Sequence, residues 1–221
     1  MFDITKLALK IPNFLTHEEC DELIQEFNQR LNETFKENSK NYKTNQNENS
    51  TFSALTLKPY TKNFNFIKEK TKQVVNAYLD YLDYPKYFFT DSLKNVLQYS
   101  HQYRVMEYKT GASIHPHSDH DPGTYGSISF NLNEDYEGGE FKFFNGNYTV
   151  SLNKGDALIF PADYFWVHEV TKVTKGTRYS INSFLNKYPS EAQNKVNYLE
   201  HLIGKDHVFN TPPEELLGPY N

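Results

Sequence analysis

Residues 126–161 read GSISFNLNEDYEGGEFKFFNGNYTVSLNKGDALIFP, and this stretch decides the fold. It contains four short runs rich in β-branched and aromatic residues, separated by turns that contain Gly, Asn or Asp. Runs of this kind predict strands, and the turns allow each strand to fold back beside the previous one. The runs VLQYS and YRVMEY before the stretch and RYSINSFL after it continue the pattern. Many short strands at regular spacing predict an antiparallel sandwich or jelly roll.

Helical patterns precede this region. Thr16 followed by Glu19 forms a capping-box pattern, and apolar residues recur behind it at helical spacing. A second amphipathic pattern covers residues 64–82. We therefore predict an α+β, mainly β, fold in a single domain over 1–221. Its parts are a supporting helical region over about 1–95, a β-core over about 96–186, and a C-terminal helix (190–203) with a tail that completes 187–221.

Residues 36–54 are polar, rich in Asn and almost free of apolar side chains. This composition predicts a surface loop. Long loops within compact domains are often functional, so a lid over a substrate is the second interpretation.

The composition excludes several classes of protein. The 221 residues are 38% hydrophobic and 16% aromatic, which is enough for one compact core and too apolar for a disordered chain. A net charge of −5 gives no general attraction for nucleic acid. We find no signal peptide, no apolar run long enough for a membrane span, and one cysteine, Cys20. We expect a cytoplasmic protein without nucleic-acid or membrane partners; the oligomeric state is left open.

The segment IHPHSDHD, residues 114–121, carries the candidate chemistry. His117 and Asp119 are two residues apart, so an extended segment points both side chains to the same side. His168, after the apolar run DALIFP, is the best candidate for a third ligand. Two imidazoles and one carboxylate suit Fe(II) with open coordination positions. The His-x-Asp pair alone is a weak signal, since a polar turn has the same pattern, but Arg178 follows on the next strand and offers a fork for a carboxylate.

The chain resembles the prolyl-4-hydroxylase-like branch of the 2-oxoglutarate/Fe(II) oxygenases. Five motifs in order carry the resemblance: IPNFLT (11–16), YKTG (108–111) leading into PHSD (116–119), NLN (131–133) with YEGGEF (136–141), KGDALIF (154–160), and VTKGTRY (173–179). The resemblance implies a double-stranded β-helix core of the jelly-roll or cupin type.

The resemblance also implies roles for single residues. Four of them form the catalytic set, with Fe(II) bound by the first three and the distal carboxylate of 2-oxoglutarate by the last: His117, Asp119, His168 and Arg178. Three further residues are implied in cosubstrate binding: Tyr108, Ser180 and Asn131. Asn131 departs from the family pattern, because some members carry a tyrosine there. Arg178 stands where many collagen-type prolyl hydroxylases carry lysine.

The implied activity is hydroxylation of an unactivated C–H bond with O₂, coupled to decarboxylation of 2-oxoglutarate to succinate and CO₂. The carboxylate of Asp119 favours hydroxylation over halogenation, because halogenating relatives lack it. Ascorbate is a further cofactor candidate. Prolyl residues of a protein or peptide are the first substrate to test, and a free amino acid or another small metabolite is the alternative.

A third hypothesis is a non-catalytic jelly-roll binding module, which predicts the loss of a ligand or of the arginine; all four are present. Two further residues have structural interpretations at this point. We expect Arg104 to form a surface ion pair, and its entry into the substrate pocket is the second interpretation. We expect Trp166 either to wall the active site or to fill the core.

Overall fold

The computed structural model describes residues 3–39, 50–84, 86–120, 123–189, 197, 200–201 and 214–217. Three α-helices lie wholly within these residues: α1 (His17–Gln29), α2 (Lys62–Leu82) and α3 (Asp91–Val96). The strands are β1 (Leu9–Ile11), β2 (Phe35–Ser39), β3 (Ser50–Thr56), β4 (Tyr99–Lys109), β5 (Ile114–His117), β6 (Thr124–Asn131), β7 (Phe141–Phe143), β8 (Tyr148–Val150), β9 (Ala157–Pro161), β10 (His168–Val170), β11 (Thr177–Asn186) and β12 (Glu214–Glu215).

The first helix, α1, begins where the capping box predicts. The Thr16 hydroxyl accepts a hydrogen bond from the Glu19 backbone N–H at 3.2 Å, and the Thr16 N–H donates to the Glu19 carboxylate at 2.8 Å. These two bonds satisfy N–H groups that have no partner within the helix. Cys20, Leu23 and Phe27 are fully buried at helical spacing, which confirms the predicted amphipathic helix.

The second helix, α2, confirms the pattern over residues 64–82. It begins two residues earlier, because the Thr61 hydroxyl caps the N–H of Phe64. The six-residue helix α3 was not predicted, and none of its residues is buried, so it has no apolar face that the sequence could reveal. Among the helices that the structure describes, none is long and apolar enough to cross a membrane.

The strands form two antiparallel sheets. The larger sheet has the order β1-β9-β6-β11-β4-β3-β2, and β12 also pairs with β4. The smaller sheet has the order β5-β10-β7-β8. This arrangement confirms the mainly β jelly-roll core predicted from the short strands.

The larger sheet separates an apolar layer from a polar cavity. Tyr103 and Val105 of β4 belong to the same buried cluster as the apolar faces of α1 and α2. Arg104 and Tyr108 on the same strand line a cavity on the opposite face. Because side chains alternate along a strand, the helices fix one face of the sheet and leave the other for a site.

The predicted loop over 36–54 is wrong for residues 36–39 and 50–54. Strands β2 and β3 pair with each other, and β3 also pairs with β4. The N-terminal region therefore contributes three strands to the larger sheet besides its helices. The sequence did not reveal β2 because most of its side chains are polar and the strand forms through backbone pairing with β3. Residues 40–49, and with them the lid hypothesis, lie outside the described residues.

The C-terminal prediction is corrected in one part. The predicted helix over 190–203 falls largely outside the described residues, of which 197, 200 and 201 are helical. The predicted tail contains a short strand instead, β12, which pairs with β4 and is followed by the buried side chains of Leu216 and Leu217. Leu216 and Leu217 belong to the same buried cluster as the apolar face of α2, and their burial stabilises the position of β12.

We expect the thiol of Cys20 to be unreactive in the folded protein. The side chain is fully buried on α1, and burial raises the pKa of the thiol to about 12. The thiolate, which is the reactive form, is therefore absent at mildly alkaline pH. Titration with a thiol reagent should label the protein in denaturant and leave it unlabelled in buffer. Equal labelling rates in both conditions contradict the packing of α1 against the sheet.

Candidate active site

Strand pairing brings two of the predicted ligands together. Strands β5 and β10 are antiparallel neighbours, and His168 lies directly opposite His117 in their register. The centroids of the two imidazole rings are 4.4 Å apart. The hydrogen bonds between the strands therefore fix the relative position of two residues that are far apart in the sequence.

Asp119 completes the cluster just after the end of β5. One of its carboxylate oxygens is 3.3 Å from Nε2 of His117, and the other is 3.6 Å from Nε2 of His168. One ligand atom from each residue lies within 4.8 Å of the others, as a shared metal ion requires. The hydroxyl of Ser127 donates to Oδ2 of Asp119 at 2.6 Å and orients the carboxylate.

Backbone carbonyls determine which nitrogen of each imidazole faces the cluster. Nδ1 of His117 is 2.8 Å from the carbonyl oxygen of His115, and Nδ1 of His168 is 3.0 Å from that of Trp166. A carbonyl only accepts hydrogen bonds, so we assign the proton of each neutral ring to Nδ1. The lone pair of each Nε2 then points toward Asp119, as a metal ligand does.

The ionisation of the cluster suits a cation. Burial, reinforced by the neighbouring His117, lowers the pKa of His168 to about 4, so this ring is neutral near pH 7. Burial alone raises the pKa of Asp119, but the two imidazoles and the Ser127 hydroxyl outweigh it and hold that pKa well below its usual range. A neutral imidazole at His168 beside an ionised carboxylate at Asp119 matches the protonation states that a divalent metal needs.

Arg178 of β11 is a buried cation with unused donors. Its side chain is 1% exposed, and Nη1 donates to the hydroxyl of Ser180 at 3.3 Å. In the part of the chain that the structure describes, Nε and Nη2 have no partner. The guanidinium lies 5.1 Å from the ring centroid of Tyr108 and 5.6 Å from that of Phe141. An arginine with two free donors fits a carboxylate that arrives from outside.

Tyr108 lies opposite Arg178 in the pairing of β4 with β11. It is fully buried, with its ring centroid 4.9 Å from that of Phe52 and its hydroxyl 3.6 Å from the sulfur of Met106. Burial raises the pKa of Tyr108 to about 12, so the phenol stays neutral and keeps its proton. A neutral phenol beside Arg178 can donate one more hydrogen bond to the same ligand.

One cavity of about 340 Å³ joins most of the predicted residues. Five of the seven line it: Tyr108, His117, Asp119, His168 and Arg178. Ser180 is fully buried behind them and reaches the cavity only through Arg178. Asn131 is not brought to the cavity, because its amide donates to the backbone carbonyls of Asn133 and Leu152 and accepts from the Tyr136 hydroxyl.

The sequence analysis favoured the wrong role for one cavity residue, Arg104, and missed another, Glu37. Arg104 is 4% exposed and forms an ion pair with Glu37 of β2 inside the cavity, so the predicted surface ion pair is wrong. The alternation along β4 carried the signal, since Arg104 is four residues from Tyr108 and shares its face. Glu37 was hidden within the segment predicted as a loop.

Trp166 belongs to the core beside the site. Its indole is 1% exposed and packs edge-on against Phe143, with ring centroids 5.5 Å apart. The neighbouring His168 ring packs in turn against Phe160 at 4.8 Å. The second of the two predicted roles for Trp166, filling the core, is therefore correct, and the aromatic packing holds the β10 ligand in place.

Gly139 makes room for Arg178. Its φ is +73°, a conformation that side chains disfavour. A Cβ at this position lies 2.7 Å from Cδ of Arg178 and 3.1 Å from the ring of Tyr136. The second glycine of the YEGGEF motif therefore leaves the space that the buried arginine occupies, and its turn is part of the site.

The comparisons with known proteins agree with this geometry. The 2OG-Fe(II) oxygenase superfamily matches residues 103–186. A multifunctional procollagen lysine hydroxylase and glycosyltransferase of Caenorhabditis elegans is 42% identical over 78 residues. That match covers 34% of this chain and 10% of the nematode protein, so the chain matches only a small part of that relative.

Solved structures resemble the fold. The viral collagen prolyl hydroxylase of Paramecium Bursaria Chlorella virus-1, in complex with 2OG, aligns with a TM-score of 0.60 at 18% identity, over 82% of this chain and 96% of that one. A prolyl hydroxylase of Trichoplax adhaerens, in complex with a peptide fragment of the hypoxia inducible factor oxygen degradation domain, aligns with a TM-score of 0.60 at 18% identity, over 86% and 87%. The match over residues 103–186 agrees with the motifs, and this part of the chain is similar to the 2OG-Fe(II) oxygenase superfamily; the two prolyl hydroxylases share the fold.

Proposed function

We propose that the chain is an Fe(II)- and 2-oxoglutarate-dependent dioxygenase that hydroxylates a C–H bond in a protein or peptide. The observation that carries the proposal is one cavity with two unlike binding groups. A His-Asp-His cluster lies on one wall, and the buried Arg178 with two free donors lies on another. The match of residues 103–186 to the 2OG-Fe(II) oxygenase superfamily supports Fe(II), 2-oxoglutarate and O₂ as the groups that such a cavity binds.

The donor set fits Fe(II). His117, Asp119 and His168 supply two imidazole nitrogens and one carboxylate oxygen, and three ligands on one side of an octahedral ion leave three positions for other molecules. The remaining nitrogen of each imidazole is held by a backbone carbonyl, so the rings are oriented before any metal binds. We assign these three residues as the metal ligands.

The arginine fits the distal carboxylate of 2-oxoglutarate. Nε and Nη2 of Arg178 form a planar fork that can bind two carboxylate oxygens. Ser180 fixes the third nitrogen of the guanidinium, and the Tyr108 phenol lies beside it as an additional donor. We assign Arg178 and Tyr108 to the cosubstrate and Ser180 to the positioning of Arg178. Asn131 supports the neighbouring backbone instead.

When bound, iron and 2-oxoglutarate supply the oxidising chemistry: the keto acid loses CO₂ and becomes succinate, and one oxygen atom of O₂ goes to the substrate carbon. The chain provides the geometry for this reaction. It holds the carboxylate at Arg178, keeps His168 unprotonated, and packs the aromatic rings of Phe141 and Phe160 against His168. Ascorbate as a further cofactor stays a prediction, and so does the cytoplasmic location.

The proposal for the substrate has two parts, the class of molecule and the residue that is hydroxylated. The Trichoplax structure contains a peptide fragment, and the nematode relative is named as a procollagen lysine hydroxylase; both support a protein or peptide substrate. Prolyl residues are our first candidate, supported by the fold of the structural neighbours. Lysyl residues are the second, because the curated relative with 42% identity is a lysine hydroxylase. A free amino acid and a non-catalytic module are the alternatives.

We expect Fe(II) and 2-oxoglutarate, added without oxygen, to produce a visible metal-to-ligand charge-transfer band. Asp119→Ala should abolish the band because the metal loses its only carboxylate ligand. Arg178→Ala should bind iron normally and weaken 2-oxoglutarate about a hundredfold, because charge-assisted hydrogen bonds to the distal carboxylate are lost. Absorption titrations of the three proteins measure both effects. A folded, iron-loaded wild type without the band contradicts the 2-oxoglutarate assignment and favours a binding module.

We expect Gly139→Ala to weaken 2-oxoglutarate binding about tenfold while iron binding is retained, since the new Cβ displaces Arg178 from the position that meets the carboxylate. The matched control is Gly146→Ala. Gly146 has a φ of +89°, and no atom lies within 4 Å of the place that a Cβ would occupy, so this variant reproduces the backbone strain without the contact. Equal affinities in the two variants rule out a positioning role for Gly139.

A further inference from the structure

A second buried arginine lies in the same cavity. Arg104 of β4 is 4% exposed, and its Nη1 donates to a carboxylate oxygen of Glu37 on β2. Both residues line the cavity, and the guanidinium also lies 5.7 Å from the ring centroid of Phe184. Neither residue has a role in binding iron or 2-oxoglutarate as assigned above.

The pair keeps hydrogen-bonding groups of both kinds for a ligand. Nε of Arg104 is buried and has no partner within the described ranges, and Glu37 forms its only bond there with Arg104, through Oε1. At least one N–H donor and one carboxylate oxygen therefore remain. A buried donor without a partner is costly, so a group that supplies an acceptor gains affinity at this position.

The pair is separated from the cosubstrate arginine along the sheet. Arg104 lies opposite Asn182 in the register of β4 with β11, whereas Tyr108 lies opposite Arg178. Four residues of an antiparallel strand span about 13 Å. The two arginines therefore start from different points along the sheet, and we assign the Arg104–Glu37 pair to the part of the cavity left for the substrate.

Charge selects the kind of group that fits. Arg104 and Glu37 neutralise each other, so an added carboxylate meets the charge of Glu37 and an added ammonium meets that of Arg104. A neutral group with one acceptor and one donor avoids both repulsions and satisfies both free atoms. An amide has this combination, with a carbonyl oxygen for Arg104 and an N–H for Glu37.

We propose that Arg104 and Glu37 form a subsite that holds one amide group of the substrate beside the reacting C–H bond. The inference rests on the proposed function, since it assumes that the cavity binds a peptide. The amide comes either from the main chain or from an Asn or Gln side chain. A subsite that binds a main-chain amide is compatible with either a prolyl or a lysyl target. Proline has no backbone N–H, so for a prolyl target the N–H comes from a neighbouring residue.

The test uses iron-loaded protein with 2-oxoglutarate and three sets of probes. The first is a library of terminally blocked pentapeptides of mixed sequence with Pro or Lys in the centre. The second is the free amino acids. The third repeats the best peptide with single main-chain amides replaced by esters, or with Asn and Gln replaced. Succinate release and the gain of one oxygen atom in the mass spectrum measure turnover, and the perturbation of the charge-transfer band measures peptide binding.

The decisive variant is Arg104→Lys, which keeps a positive charge for Glu37 and removes the Nε donor. We expect its peptide KM and its peptide dissociation constant to rise about tenfold. Glu37→Gln keeps an oxygen acceptor and should have a smaller effect. The matched control is Arg30→Lys, since Arg30 also pairs with a glutamate, Glu26, but lies at the end of α1 outside the cavity. It should behave as wild type.

The ester probes identify the amide. An ester removes the N–H that faces Glu37 and weakens the carbonyl acceptor that faces Arg104. One ester should therefore weaken the wild type and have a smaller effect in Arg104→Lys, as a double-mutant cycle requires for coupled groups. An Asn or Gln replacement with this behaviour assigns the side-chain source. Equal peptide binding by Arg104→Lys and wild type overturns the subsite, and so does turnover of free amino acids alone. Turnover of no probe also overturns it, because the library presents amides throughout. A missing charge-transfer band in the wild type is instead the failure of the proposed function.

Discussion

A guanidinium that is withdrawn from water must find partners for its N–H groups, and Arg178 finds one serine. The ring faces of Tyr108 and Phe141 offset part of the charge, but Nε and Nη2 are left without an acceptor among the described residues. Several surrounding elements hold the Arg178 side chain in position or leave space for it. The pairing of β4 with β11 places Tyr108 against it, and the left-handed backbone at Gly139 leaves it space.

The pleat of the larger sheet is the second constraint. Alternate residues of β4 and β11 go to the helices or to the cavity, so the same strands supply an apolar core and a row of polar side chains. Polar residues on the cavity side satisfy one another where they are not reserved for ligands, as the Ser129 hydroxyl does with the Asn182 amide. Functional groups are thus mounted on strands fixed from behind by helix packing.

The sequence predicted the parts whose signals are local. The capping box at Thr16, the strand runs with their Gly and Asn turns, and the His117–Asp119 spacing are each read within a few residues. The predictions that were wrong concern features that depend on contacts between separate parts of the chain. Strand β2 has few apolar residues and forms because β3 offers hydrogen bonds. The Arg104–Glu37 pair forms only because the hairpin of β2 and β3 places Glu37 beside β4. Asn131 does not reach the cavity because its side-chain amide donates to two backbone carbonyls.

The opposition of His117 and His168 across β5 and β10 has a thermodynamic consequence. The two ligands lie far apart in the chain and meet only after the smaller sheet has formed, so the unfolded chain must close a long loop before it can offer this site. An ion bound by both histidines acts as a reversible cross-link between the strands. Metal concentration and conformational stability are then linked quantities, and occupancy of the centre reports on whether β5 and β10 remain together.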